Sequence, residues 1–208
     1  MQKIMEQYRE FNTPEEVQNW IVEHYPDILN INPKSHLYKI IFLYTGSNYK
    51  ILNHLLRACP PIGSLEYKKI DFGGYTEEVD DISIINDFVH SYTLVENVVT
   101  YRFTHKSDVR KLCNSWFLHK GLCFADKAFF STTLVRELLE EFGKDYRCNC
   151  VLKLYLQKGI HGAYVSLKSD QTQLNEQEFL LPPNTKFEII KVHYFKYPML
   201  IECKVILD

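Results

Sequence analysis

Apolar positions change their period along this chain. After Thr13 they recur at helical spacing, with Val17, Trp20 and Ile21 on one face, and Thr13-Pro14-Glu15-Glu16 carries a helix start. Thr13 stands as N-cap, Pro14 lies in the first turn, and Glu16 follows the cap by three. Residues 30–35 read as a loop. From His36 the run LYKIIFLYTGSNYKILNHLLR predicts two helical pieces broken at Thr45-Gly46-Ser47, although IIFL alone fits a buried strand equally well. PPIGS and FGG, near 60–64 and 72–74, are loop-like, and IINDFVHSY predicts another helix. Beyond it the period shortens. Residues 98–103 are β-branched and aromatic, 128–133 resemble a short buried strand ending in hydroxyls, and 134–142 return to helical spacing. Further strands are expected at 151–156, 163–167, 179–181, 187–192 and 199–207. In the last, Met199, Ile201, Cys203, Val205 and Leu207 share a face.

Helices followed by strands predict an α+β domain. A length of 208 residues suits one domain, with a helical part over about 1–90 and a β-rich part over about 95–208. The chain is 46% hydrophobic and 24% charged, outside the range of a disordered polymer, and has no apolar run long enough to span a membrane. No membrane partner is expected. A formal charge of -2 without a dense Lys/Arg run leaves nucleic acid as an unadvertised partner. The start, MQKIMEQYREFNTPEE, lacks the apolar core of a secretory signal. A cytoplasmic site, or delivery into a target cell by a route needing no such signal, is expected. The six cysteines show no paired CxxC spacing and are expected to be reduced thiols. The eight histidines show no HExxH, so no metal site is expected.

Several groups bear on chemistry. Tyr49, Asn53 and Arg57, four apart, form one stripe on a helix, either lining a cleft or making a solvated edge. Arg102 sits inside an apolar strand-like run, where its planar fork suits a carboxylate or phosphate if it is not simply an outward edge arginine. In AFFSTT, alternation sends Ser131 and Thr133 to one side, as in an ordinary hydroxyl ladder or a hydrogen-bonding site. In LNEQEFLLP an extended backbone would put Glu176 and Glu178 on one face. Two like charges so placed raise one pKa or serve a developing cation; a solvated strand end is the plainer reading.

In order, YTGSNYKILNHLLR, VVTYRF, DKAFFSTT, GAYVSL and NEQEFLLPPNTKFEII closely resemble the ADP-ribosyltransferases of the Arg, Ser-Thr-Ser, Glu-x-Glu class, in particular the clostridial binary-toxin enzymes. The resemblance spans about residues 38–192. It implies N-terminal helices packed on a two-sheet mixed β core, NAD as substrate, and no metal. It implies NAD contacts from Tyr44, Tyr49, Asn53 and Arg57, with Arg57 and Arg102 on the phosphates and Phe129 shaping the nicotinamide pocket. Ser131 would orient the catalytic Glu178, Thr132 and Thr133 would complete that motif, and Glu176 would track an arginine acceptor. The implied activity is transfer of ADP-ribose to an arginine of a target protein by a toxin or effector, with NAD hydrolysis beside it. This leaves room for an inhibitory or antitoxin partner. A nucleic-acid base or water as acceptor, and a non-catalytic binding module, are the other readings. Phe103 and Thr133 depart mildly from the family pattern, and SDQTQLN lacks the target-contacting aromatic of many relatives. Arg136 or Arg147 would supply an extra phosphate contact or lie on the surface.

Overall fold

The computed structural model describes residues 8–58, 76–136, 148–167 and 176–207, apart from the side chains of 76–79. Helix α1 (Pro14–His24) starts as its sequence predicts: the Thr13 hydroxyl accepts from Glu16 N at 3.3 Å, and the Glu16 carboxylate accepts from Asn12 N at 2.8 Å. The first bond satisfies an amide that the first turn leaves unpaired, a contribution of about 1 kcal/mol, and the second ties down the residue before the cap. Its Val17, Trp20 and Ile21 are buried. A single turn α2 (Pro26–Leu29) follows, then α3 (His36–Leu43), which Ser35 caps through Tyr38 N. IIFL is therefore helical. The break at Thr45-Gly46-Ser47 is a π-helical turn (Tyr44–Asn48) that runs straight into α4 (Tyr49–Ala58). Helix α5 spans Thr76–His90.

Among the described residues, eight strands form one hydrogen-bonded order. They are β1 (Val98–Thr104), β2 (Cys123–Ala125), β3 (Phe130–Thr133), β4 (Cys150–Leu156), β5 (Ala163–Tyr164), β6 (Glu178–Leu181), β7 (Lys186–His193) and β8 (Met199–Val205), with the short helix α6 (Lys106–Leu112) after β1. The spatial order is β2-β7-β8-β4-β1-β3-β6-β5, antiparallel except for the β4–β8 pair. The two-sheet core expected from the sequence takes the form of a five-strand and a three-strand portion. They join where Tyr101 faces Thr133.

Alternation along β1 decides which face holds chemistry. Val98 joins the main core with Trp20, Ile41, Leu52, Phe129 and Phe179, whereas Val99 and Tyr101 join a smaller cluster with Val151 and Tyr155 on the other face. Arg102, two residues beyond Thr100, is therefore directed to the helix-covered face.

Three local expectations are corrected or lie elsewhere. Residues 134–136 are not helical: Val135 bridges Phe11, an N-terminal strand contact that local periodicity does not encode. Residues 137–142, like 60–64, 72–74, 169–175, Cys59 and Arg147, lie outside the described residues. The strand expected at 163–167 pairs only at Ala163 and Tyr164. The described cysteines are free thiols.

Candidate active site

Because β1, β3 and β6 are neighbours, Arg102, Ser131 and Glu178 meet although they are far apart in sequence. Arg102 Nη1 donates to the Ser131 carbonyl at 2.9 Å, and its guanidinium lies 4.3 Å from the centre of the Phe130 ring. The ring and the carbonyl hold the fork in place and leave other N–H groups for a ligand. Thr133 stands opposite Glu178 and Ser131 opposite Leu180, so both hydroxyl residues share the face of Glu178. The Ser131 hydroxyl hydrogen-bonds the Glu178 carboxyl. Thr133 instead caps Val135 N at 3.3 Å, and Thr132, on the other side, donates to the Phe179 carbonyl at 2.8 Å. Thr132 and Thr133 thus fasten β3 to its surroundings.

Glu178 is only 7% exposed. Burial pushes its carboxyl up to about 7, the charge of Glu176 adds to the rise, and the Ser131 hydrogen bond and Arg102 pull the other way. Near neutral pH this group is poised between acid and anion. Its backbone N donates to Ser166 Oγ at 2.7 Å, and its carbonyl accepts from Val165 N at 3.0 Å.

Glu176 is placed differently from the sequence expectation. Strand β6 begins only at Glu178, and Gln177 has a φ of 45°, in the left-handed region, so alternation does not align the two carboxylates. A turn brings them within electrostatic reach. The buried Gln177 amide oxygen anchors that turn, accepting from Tyr164 OH at 2.9 Å and Gln18 Nε2 at 3.1 Å. Glu176 itself is half-buried, which raises its pKa.

The α4 stripe divides. Asn53 is buried and its Nδ2 donates to Tyr44 OH at 3.3 Å, while its Oδ1 has no partner among the described residues. A buried acceptor left open in this way costs free energy until something donates to it. The Tyr44 ring meets Phe129 edge-on at 5.6 Å, and burial followed by the charge of Glu178 raises its hydroxyl pKa. Tyr44, Asn53 and Phe129 therefore belong to one cluster with Glu178. Tyr49 is exposed beneath Lys50, and no described contact ties it to that cluster.

Arg57 is held by a residue the sequence reading missed. Its Nε and Nη2 donate to Asp126 Oδ1 and Oδ2 at 2.9 and 2.7 Å, and Asp126 Oδ1 also accepts from Ala128 N at 3.0 Å. Asp126 is 5% exposed, and this bidentate bond is the main reason the Arg57 pKa is raised. Arg102 is shifted down, first by burial, while Asp126 and Tyr44 oppose the shift and Arg57 adds to it. Asp126 offsets the repulsion between the two guanidiniums, and the two cations with this one carboxylate keep a positive balance that suits an anion. The acidic residue two positions before AFFSTT was the available signal for Asp126. For Ser166 and Gln177 the signal was weaker, since GAYVSL and the x of Glu-x-Glu carry no charge.

The family model for ADP-ribosyltransferase exoenzyme matches residues 17–199, and the chain belongs to that family. No curated protein matches it in sequence. Among solved structures it is similar to Plx2a, an ADP-ribosyltransferase toxin from Paenibacillus larvae, at 21% identity and a TM-score of 0.67, covering 95% of this chain and 99% of that one. C3stau2 from S. aureus, solved with NAD, matches at 19% identity and 0.68, covering 97% and 100%. The ADP-ribosylating toxin BECa of C. perfringens, solved with NADH, matches at 22% and 0.68, covering 96% of this chain and 50% of BECa. These likenesses establish the expected fold.

Proposed function

We propose that the protein is a mono-ADP-ribosyltransferase that moves the ADP-ribose of NAD to an arginine of a target protein, acting as a toxin or effector. One observation carries the reading: a buried Glu178 carboxyl, pushed up to about 7, held by Ser131 and flanked by Arg102. Two related structures solved with NAD or NADH support the choice of dinucleotide.

The residues fit that substrate. Arg102 and Arg57 face the pyrophosphate, with Asp126 fixing the second fork. Asn53 Oδ1 offers an acceptor for a ligand N–H or O–H, and the buried pair Tyr44 and Phe129, packed edge-on, backs the nicotinamide site from the core side. When the bond between nicotinamide and ribose C1′ breaks, the electron pair leaves with nicotinamide and positive charge develops on the sugar. Ionised Glu178 stabilises that charge through the ribose hydroxyl, and Ser131 keeps it oriented without reorganisation of water. The guanidino nitrogen of the acceptor then bonds to C1′ and gives its proton to Glu176. The half-burial of Glu176 strengthens it as a base.

The test follows the adenylate label of NAD in the presence of cell-lysate protein, RNA and DNA, with agmatine as a soluble guanidino competitor. Label on protein that agmatine suppresses is expected. Label on nucleic acid alone would replace the arginine acceptor, and no NAD turnover at all would leave only a binding module.

A further inference from the structure

The loop after α6 and the turn between β7 and β8 form a tip that holds most of the exposed aromatic side chains among the described residues. Trp116 is 84% exposed, Tyr197 86%, and Phe195 fully so, while Phe117 and Tyr194 are also exposed. Five large aromatic side chains left in water on two adjoining loops are a costly arrangement for a surface with no partner. The loops are joined before any partner arrives. Phe117 and Tyr194 stack at 5.8 Å with 12° between their planes, and Tyr194 OH donates to the Leu118 carbonyl.

The charge of this tip is one-sided. Neither 109–125 nor 189–201 contains an Asp or Glu, although the whole chain is formally at -2. The two stretches carry Arg110, Lys111, Lys120, Lys191 and Lys196. Asp108 and Glu202 lie 4.0 Å from Lys111 and Lys191, but Lys120 and Lys196 have no ion pair among the described residues. Arg110 lies 4.8 Å from the Trp116 ring centre and brings its charge to that tip.

We propose that this tip docks the protein on an anionic lipid surface, with Trp116, Phe195 and Tyr197 entering the headgroup region and the lysines facing lipid phosphates. Aromatic rings with a polar edge favour that region, and cations beside it add attraction to anionic lipid. A stacking platform for nucleic acid fits less well, because Phe117 and Tyr194 stack on each other and Arg110 lies over a face of Trp116. No helix among the described residues is long and apolar enough to cross a membrane, so the contact is peripheral. It departs from the expectation of no membrane partner, which rested on the lack of a span.

Trp116 makes the docking measurable. The only other tryptophan, Trp20, is fully buried and supplies a constant background. The protein is mixed with vesicles of phosphatidylcholine alone, or with roughly one third phosphatidylserine, at low and high salt. Expected are a blue shift of Trp116 emission, protection from acrylamide, and co-sedimentation with the anionic vesicles only, weakened by salt. Lys196→Glu should weaken binding about fivefold or more, and Phe195→Ala with Tyr197→Ala should remove it. All three side chains are exposed, and unchanged thermal unfolding of the variants checks that the fold is intact. Absence of vesicle binding overturns the proposal. So does binding that the Phe195/Tyr197 variant retains, or a Trp116 response only to single-stranded oligonucleotide or to acidic protein.

Discussion

Replacing Glu178 by glutamine should make the protein more stable at pH 8 than the wild type, while leaving the two nearly alike at pH 5. The reasoning starts from the position of the carboxyl, which burial moves from 4.5 to about 7. Below 4.5 the group is neutral whether folded or unfolded, and the fold loses nothing. As pH rises toward 7 the unfolded chain releases its proton first, and the native state bears the cost of a buried charge. Stability contributed by the protonated carboxyl is therefore lost as pH climbs through the folded value. At 1.36 kcal/mol per tenfold, the step from 4.5 to about 7 is worth about 3 kcal/mol at most, of which about 2–3 kcal/mol falls between pH 5 and 8. For a chain of this size that equals roughly 5–10 °C in Tm. Glutamine keeps an oxygen for the Ser131 hydroxyl and has no charge to bury. Urea unfolding of both proteins at pH 5 and pH 8 reads the effect, with Glu176 common to both. A Glu178→Gln variant less stable than wild type at pH 8, or offset equally at both pH values, would refute the claim that this carboxylate is held ionised at a cost to the fold.

Asp126→Asn keeps an acceptor for Ala128 N but loosens the Arg57 fork. It should lower stability by about 1–2 kcal/mol and raise KM for NAD more than it lowers kcat, as steady-state kinetics will show. Glu176→Gln should abolish transfer to agmatine while NAD hydrolysis continues; equal loss of both would remove its acceptor role. Gly162→Ala places a Cβ 2.4 Å from Phe179 Cε1 and 3.2 Å from the Leu180 carbonyl. That overpacking, next to the strand carrying Glu178, should cost about 1–3 kcal/mol by urea titration.

Elements whose cause is local were legible in the chain. The Thr13 cap and the strand at Val98 follow from adjacent residues, and the observed bounds start where those signals stand. Elements that depend on distant partners were not. Val135 leaves its helical pattern because Phe11 pairs with it, and the three-residue β2 exists only by pairing with β7. The same division runs through the site. Arg102, Ser131 and Glu178 were recognisable as residue types in order, but their meeting depends on the sequence of strands β1-β3-β6, which no local spacing encodes. Arg57 was visible and Asp126 was not, since a salt bridge across 69 residues leaves no periodic trace. The two glutamates were read through strand alternation, and the left-handed Gln177 undoes that geometry while keeping them coupled.

The central claim is that the Glu178 carboxylate faces a sugar losing its base. The most direct measurement is nicotinamide release from NAD by the purified protein as a function of pH, with Glu178→Gln beside it. The account predicts release that rises with pH through about 7 and falls by a hundredfold or more in the variant, a loss of about 3 kcal/mol in transition-state stabilisation. Release by the variant at the wild-type rate, or none by either protein, would contradict it.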